Sequence, residues 1–207
     1  MTLTTDRAAQ TAAPATATIA GVHHTARPTW KLEETVKFYG DVMGLPLIHA
    51  ISAHGWGPED HPDFLHIFFD SGNGSTIAFF YYLGLDRPPP EAYADTYLDR
   101  STHTAWRAES RDALLAWKTK FEAAGVRTLL VRHETLESLY VTDPNGYMVE
   151  VTWQVRPLLP EDHADARMTV LAAINAEAER RGERLRTIEQ LWQHKGTLVR
   201  EHLEREE

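Results

Sequence analysis

The sequence predicts an α+β fold of two βαβββ units followed by a C-terminal helical extension. Three observations support this prediction. The same order of strand-like and helix-like segments occurs twice. Each occurrence opens with the tripeptide HTA, at residues 24–26 and 103–105, which indicates an internal duplication of about 80 residues. Beyond Pro160 the composition shifts to Ala, Glu, Arg and Leu, which favours helices.

Composition and charge exclude several classes of function. The chain has 207 residues and a net charge of -9, which disfavours a nucleic-acid partner because a phosphate backbone would repel it. It has no cysteine, so any bound metal must be held by nitrogen and oxygen ligands. No apolar run approaches the roughly 18 residues of a membrane span, and the first 20 residues do not resemble a signal peptide. We therefore expect a cytoplasmic protein with no membrane partner.

The first unit is predicted at residues 19–83, after an Ala/Thr-rich segment at 1–18 that we expect to be a disordered tail. Apolar residues recur at helical spacing from Leu32 to Met43, and Gly44 supplies a stop signal. The sequence SGNG at 71–74 is typical of a hairpin turn. The predicted strands of this unit are residues 19–27, 45–51, 64–69 and 76–83.

The second unit is predicted at residues 103–156, beyond a linker at 84–102 that contains three consecutive prolines. Its helix places Leu114, Trp117 and Phe121 on one face and ends at Gly125. The predicted strands are residues 103–108, 126–131, 136–142 and 148–153. The whole double unit therefore covers residues 19–156.

The helical extension is predicted at residues 157–207, with two or three helices between 161 and 205. Its apolar stripes are narrow, for example Leu185, Ile188 and Leu191. We interpret the extension as an appendage that covers the β unit or a partner subunit, and we expect a homo-oligomer.

Three residues are candidate metal ligands: His24 and His103, which open the first strands of the two units, and Glu150 in the last strand. Pairing of the units about a pseudo-twofold axis would bring the two opening strands face to face. Two imidazoles and one carboxylate are typical of non-haem Fe(II) sites, but the same ligands also suit Mn, Ni or Zn. A single strand histidine is commonly structural, but the repetition and the otherwise apolar strand around Glu150 favour ligands.

The motifs GVHHTA, LEETVKFYGDVMGLPL, THTAW with FEAAGV, and YVTDPNGYMVEVTW resemble the vicinal oxygen chelate superfamily. This superfamily includes glyoxalases, bleomycin-binding proteins, epimerases and extradiol dioxygenases. The resemblance implies an open, curved mixed sheet of two βαβββ units around a metal. It also implies that the ligands are His24, His103 and Glu150.

Within this superfamily, the segment from Val131 to Glu150 resembles the extradiol dioxygenase signature, which adds His133 and Tyr140 as catalytic residues. Matching the apolar residues of the last two strands also sets Tyr140 opposite Glu150, on the other face from those apolar residues. A phenol or imidazole there could orient a catechol and exchange protons with it. Taken alone, Tyr140 has a structural explanation as a half-buried strand aromatic, and His133 as a surface loop residue.

The chain departs from the two-domain extradiol enzymes at one place. Those enzymes carry a further catalytic histidine in the segment that corresponds to residues 84–102, and this chain has none there. His66 is a candidate replacement, although strand alternation does not decide which face it occupies. The fourth strand reads AFFYY at 78–82 and lacks the Glu or Gln ligand of glyoxalase-type members. These aromatics would suit an aromatic-substrate pocket or ordinary core packing.

The resemblance therefore implies an Fe(II)-dependent extradiol dioxygenase that uses O2 to cleave the aromatic ring of a catechol. The alternatives are a metal-dependent lyase, epimerase or thiol transferase of the same superfamily, or a small-molecule-binding protein without catalytic activity. The resemblance is compatible with an amino-acid catechol and with a hydrocarbon-derived one.

Overall fold

Two four-stranded mixed sheets and two C-terminal helices form the fold in a computed structural model, which describes residues 21–54, 62–89, 97–179 and 185–206. This confirms the predicted α+β class and both βαβββ units. The predicted tail at 1–18 lies outside the described residues. The strands are β1 His24–Pro28, β2 Leu47–Ala53, β3 Phe64–Gly72, β4 Ser75–Tyr82, β5 His103–Ala108, β6 Leu129–Arg132, β7 Leu136–Thr142 and β8 Met148–Gln154. The helices are α1 Leu32–Val36, α2 Tyr97–Arg100, α3 Arg111–Ala123, α4 Pro160–Glu179 and α5 Ile188–Glu206.

The chain divides into two compact units. One extends to Ser101 and also includes Asp143–Tyr147, and the other contains Thr102–Thr142 and Met148 onward. In the first unit the strand order is β1-β4-β3-β2, with β1 parallel to β4 and the other pairs antiparallel. Asn73 and Gly74, with φ angles of 54° and 77°, form the turn between β3 and β4, as the sequence predicts.

One face of the first sheet is covered by α1 and by the π-helical segment Lys37–Val42 that continues it. Tyr39 on this segment is buried, with its ring centroid 4.7 Å from that of Phe79 and 5.9 Å from that of Phe69. Gly44 follows with a φ of 74°, a conformation that favours glycine, and the helical segment ends just before it. The opposite face of this sheet carries the candidate histidines described below.

The second sheet repeats the first, in the order β5-β8-β7-β6. Helix α3 begins where the Ser110 hydroxyl accepts a hydrogen bond from the Ala113 amide, and it buries Leu114 and Phe121 against the sheet. After the helix, the Val126 amide bonds back to the Phe121 carbonyl. The sequence predicts that β6 starts at residue 126. That residue instead forms this closing bond of the helix, and β6 starts at Leu129.

A buried polar network in the first unit holds the turn formed by Asp143–Tyr147. The Asn145 side chain accepts hydrogen bonds from the Thr29 hydroxyl and the Trp30 amide and donates one to the Thr35 hydroxyl. The Tyr39 hydroxyl donates to Asp143, and burial raises the pKa of the Asp143 carboxyl. The turn is thus held through side chains more than 100 residues away in sequence.

Replacing Asn145 by Ala is expected to destabilise the fold by roughly 1–3 kcal/mol, because the buried Thr29 and Thr35 hydroxyls each lose a hydrogen bond to Asn145 and keep the bond between them. Thr119→Ala on α3, whose hydroxyl is exposed, is the control and should change stability by less than about 0.5 kcal/mol. Urea unfolding followed by circular dichroism measures both. Equal stability of the two variants would show that the network does not stabilise the turn.

The C-terminal extension consists of α4 and α5, as predicted, and these helices contact each other. Ala172 and Ala176, one turn apart on α4, are fully buried, and the Lys195 ammonium lies 2.6 Å from the Asp165 carboxylate. None of the helices within the described ranges is both long and apolar enough to cross a membrane.

Candidate functional site

The second unit brings two of the predicted metal ligands together. The parallel register of β5 and β8 pairs Ala105 with Glu150, so alternation puts His103 and Glu150 on the same face of the sheet, away from α3. The His103 Nε2 atom lies 2.9 Å from Glu150 Oε2. Glu150 is only 4% exposed, so its carboxylate needs a cation or proton donor, and the His103 imidazole lies close enough to act as one.

Tyr140 lies directly opposite Glu150, which confirms the predicted register. The same ladder pairs Leu139 with Val151 and Val141 with Val149, and these four apolar side chains are buried on the other face. Burial, reinforced by the negative charge of Glu150, raises the pKa of the Tyr140 hydroxyl. Tyr140 therefore keeps its proton near neutral pH and can donate a hydrogen bond.

His133 completes a row of four polar side chains on this sheet. It follows β6 directly, and its amide donates to the Leu136 carbonyl, which closes the β6–β7 turn. Its Nε2 atom lies 3.0 Å from the Tyr140 hydroxyl oxygen, within hydrogen-bond distance. An open depression lined by residues 132–135 adjoins it. The row His133, Tyr140, Glu150 and His103, in that spatial order, thus joins the two predicted catalytic residues of the second unit to its two predicted ligands.

His24, the third predicted ligand, lies in the first unit at the start of β1 and is exposed to solvent. Its Nδ1 atom is 2.9 Å from the Nδ1 atom of His23. Its ring also lies edge-on to those of His66 and Phe68, at centroid distances of 6.4 and 5.9 Å.

His66 occupies the same face of the first sheet as His24, a point that the sequence leaves open. The register pairs His66 with Phe80 and His24 with Thr76, while Ile67 and Phe79 face α1. The buried His66 ring stacks on Phe80 at 3.6 Å, and its Nδ1 lies 3.2 Å from the Phe79 carbonyl oxygen. Burial lowers the pKa of this imidazole, which favours its neutral form.

His49 and Phe68, which no sequence motif marks as site residues, lie on this face as well. Their rings are 5.4 Å apart, and Phe68 also approaches His66 at 4.2 Å. Phe80 and Tyr82 of the predicted aromatic cluster continue the face as a stacked pair at 5.7 Å. Alternation along β2 and β3 could have located these residues only once the pairing register was known.

In the part of the chain that the structure describes, no three side chains of His, Cys, Asp or Glu are grouped so as to hold a metal ion. The three-ligand centre therefore stays a prediction. The donor set of the second unit nevertheless fits a divalent cation, because an imidazole nitrogen and a buried carboxylate oxygen converge at 2.9 Å. His24 would add a second imidazole of the same donor class.

Comparison with known proteins assigns the family. The model of the Glyoxalase/Bleomycin resistance protein/Dioxygenase superfamily matches residues 21–151, well over half of the chain. A comparison with curated proteins finds no match.

Among solved structures, the chain matches lactoylglutathione lyase from Agrobacterium tumefaciens, at 20% identity over 65% of this chain and 94% of that chain, with a TM-score of 0.46. Another is a glyoxylase/bleomycin resistance protein/dioxygenase domain from Frankia sp. EAN1pec, at 16% identity over 66% and 99%, with a TM-score of 0.49. The family match and the two βαβββ units agree, and this chain belongs to the glyoxalase/bleomycin resistance protein/dioxygenase, or vicinal oxygen chelate, superfamily.

Proposed function

We propose that the chain is an extradiol-type dioxygenase that uses a divalent metal and O2 to cleave the aromatic ring of a catechol. The observation that carries the proposal is the row of His133, Tyr140, Glu150 and His103 on one face of the second sheet. In this row, His103 and Glu150 are a nitrogen and an oxygen donor that suit a divalent metal. Tyr140 and His133 are a hydrogen-bonded phenol and imidazole that could exchange protons with a chelated catechol.

The proposed metal ligands are His24, His103 and Glu150. We propose Fe(II) as the ion, with Mn, Ni or Zn as the alternatives that the same ligands accept. When bound, Fe(II) would supply Lewis acidity toward the catechol oxygens and redox chemistry with O2. A bound cation would also neutralise the buried Glu150 carboxylate, which supports Glu150 as a ligand.

Tyr140 and His133 are proposed to hold and move protons of the substrate. A catechol that chelates a metal through both oxygens must lose at least one proton. The Tyr140 hydroxyl keeps its own proton and can donate it in a hydrogen bond to a catechol oxygen. The His133 Nε2 atom, 3.0 Å from this hydroxyl, can accept or return a proton through it.

The histidine and aromatic face of the first sheet is proposed to contact the aromatic ring of the substrate. Phe68, Phe80 and Tyr82 offer ring faces and edges to a planar ligand. His66, neutral and held at Nδ1, presents its Nε2 atom as an acceptor and is our candidate for the family histidine missing from residues 84–102. Its position on the same face as His24 supports this assignment.

The test is an anaerobic mixing experiment. Protein reconstituted with Fe(II) is combined with a panel of catechols, and O2 is then admitted while oxygen consumption and absorbance are recorded. We expect O2 uptake equal to the catechol consumed and a yellow ring-opened semialdehyde. Hydroquinone is the matched control, because its para hydroxyl groups cannot chelate one metal. Catechol binding without O2 uptake would contradict the proposal and favour a lyase, epimerase, thiol transferase or binding protein of the same superfamily.

A further inference from the structure

We propose that His23 is a positioning residue for His24: its Nδ1 atom accepts a hydrogen bond from the Nδ1–H group of His24 and thereby fixes His24 Nε2 as the metal-binding nitrogen. The inference rests on the proposed function, in which His24 is a ligand. It assigns a role to the first histidine of the HH pair, which the three-ligand set leaves without one.

The contact geometry supports a single shared proton. The two Nδ1 atoms are 2.9 Å apart, and the rings are nearly perpendicular, with an interplanar angle of 84° and a centroid separation of 5.1 Å. Two ring nitrogens at this distance form a hydrogen bond when one carries the proton and the other accepts it. The contact therefore couples the tautomers of the two rings.

Metal binding selects one of the two arrangements. If His23 donated the proton and His24 remained neutral, the Nε2 atom of His24 would carry its own hydrogen and could not bind a cation. If His24 donates from Nδ1, its Nε2 atom has a free lone pair. Histidine ligands of metals are commonly held in this way, by a partner that accepts a hydrogen bond from the other ring nitrogen.

The backbone around His23 is held by the start of β4, so the pair does not depend on side-chain packing alone. The Thr76 amide donates to the His23 carbonyl over 2.9 Å, and the Ser75 hydroxyl donates to the Val22 carbonyl over 2.6 Å. His23 precedes β1, so the alternation of strand side chains does not force its ring to the face opposite His24.

The test measures metal affinity. Metal-free full-length protein is titrated with Co(II), followed by visible absorption, for the wild type and for His23→Leu, His23→Asn, His24→Leu and His54→Leu. We expect His23→Leu to weaken Co(II) binding by about 10- to 100-fold, the usual effect of losing such a partner. His23→Asn should restore most of the affinity, because its side-chain oxygen is an acceptor near the position of Nδ1. His54, an exposed histidine that pairs with Asp63, is the control and should have no effect.

The outcomes separate this inference from the proposed function. Unchanged affinity in His23→Leu with reduced affinity in His24→Leu would overturn the positioning role alone. Equal losses in His23→Leu and His23→Asn would also overturn it, because the hydrogen-bond acceptor would then not be the cause. Unchanged affinity in His24→Leu would overturn both proposals. Thermal melting of each metal-free variant identifies any loss that comes from unfolding.

Discussion

Glu150→Gln is expected to abolish tight metal binding, and His103→Ala and His24→Ala should do the same. Glu150→Gln removes the only anionic donor of the proposed ligand set and leaves the size of the side chain almost unchanged. Loss of an outer partner of a ligand already costs about 10- to 100-fold in metal affinity, so loss of a ligand itself should exceed that range. Catalytic turnover should disappear together with the metal.

Glu137→Gln is the matched control for this experiment. Glu137 is also a buried carboxylate of the second sheet. It alternates with Tyr140 along β7 and therefore lies on the α3 face, where Arg111 Nε approaches to 2.8 Å. The control variant should keep its metal even if it loses stability. Elemental analysis of protein purified without oxygen measures the metal content. Unchanged metal in all three ligand variants would contradict the proposed centre.

The geometry of the second unit was predictable because its strands carry apolar side chains on the face that packs against α3 and polar side chains on the other. The apolar residues Leu139 and Val141 can be matched with Val151 and Val149 in a single way that buries all four, and a shift by one residue would expose them. That constraint also fixed Tyr140 opposite Glu150. The contact between His133 and Tyr140 depends on the tight β6–β7 turn, and the sequence predicted only its approximate position.

The first unit was harder to predict because β3 has no polar alternation. Phe64, Ile67 and Phe69 are all buried although they do not share one face, so hydrophobicity alone could not assign a face to His66. The long-range bonds of Asn145 were also beyond sequence reasoning, because the DPNG turn predicts only local geometry. The single-turn helix α2, at Tyr97–Arg100, lies within the predicted linker and is too short to show a helical period.

Tyr140→Phe and His133→Ala are expected to lower turnover by about a hundredfold to ten-thousandfold each, the usual contribution of a general acid or base, while the metal stays bound. Neither side chain belongs to the proposed ligand set, and both act on the substrate through the hydroxyl that His133 contacts at 3.0 Å. Turnover and iron content are to be measured together at several pH values. Tyr147→Phe is the control and should retain turnover. Its hydroxyl donates to the Pro28 carbonyl, and both residues belong to the first unit, apart from Tyr140 and His133.

The double variant Tyr140→Phe/His133→Ala distinguishes a hydrogen-bonded pair from two independent residues. If His133 exchanges its proton through the Tyr140 hydroxyl, removing either residue breaks the same path, and the double variant should be no slower than the slower single variant. If the two residues act separately, their effects should multiply. Near-normal turnover in both single variants would remove the support that the Val131 to Glu150 segment gives to ring cleavage, because only the general superfamily features would then remain.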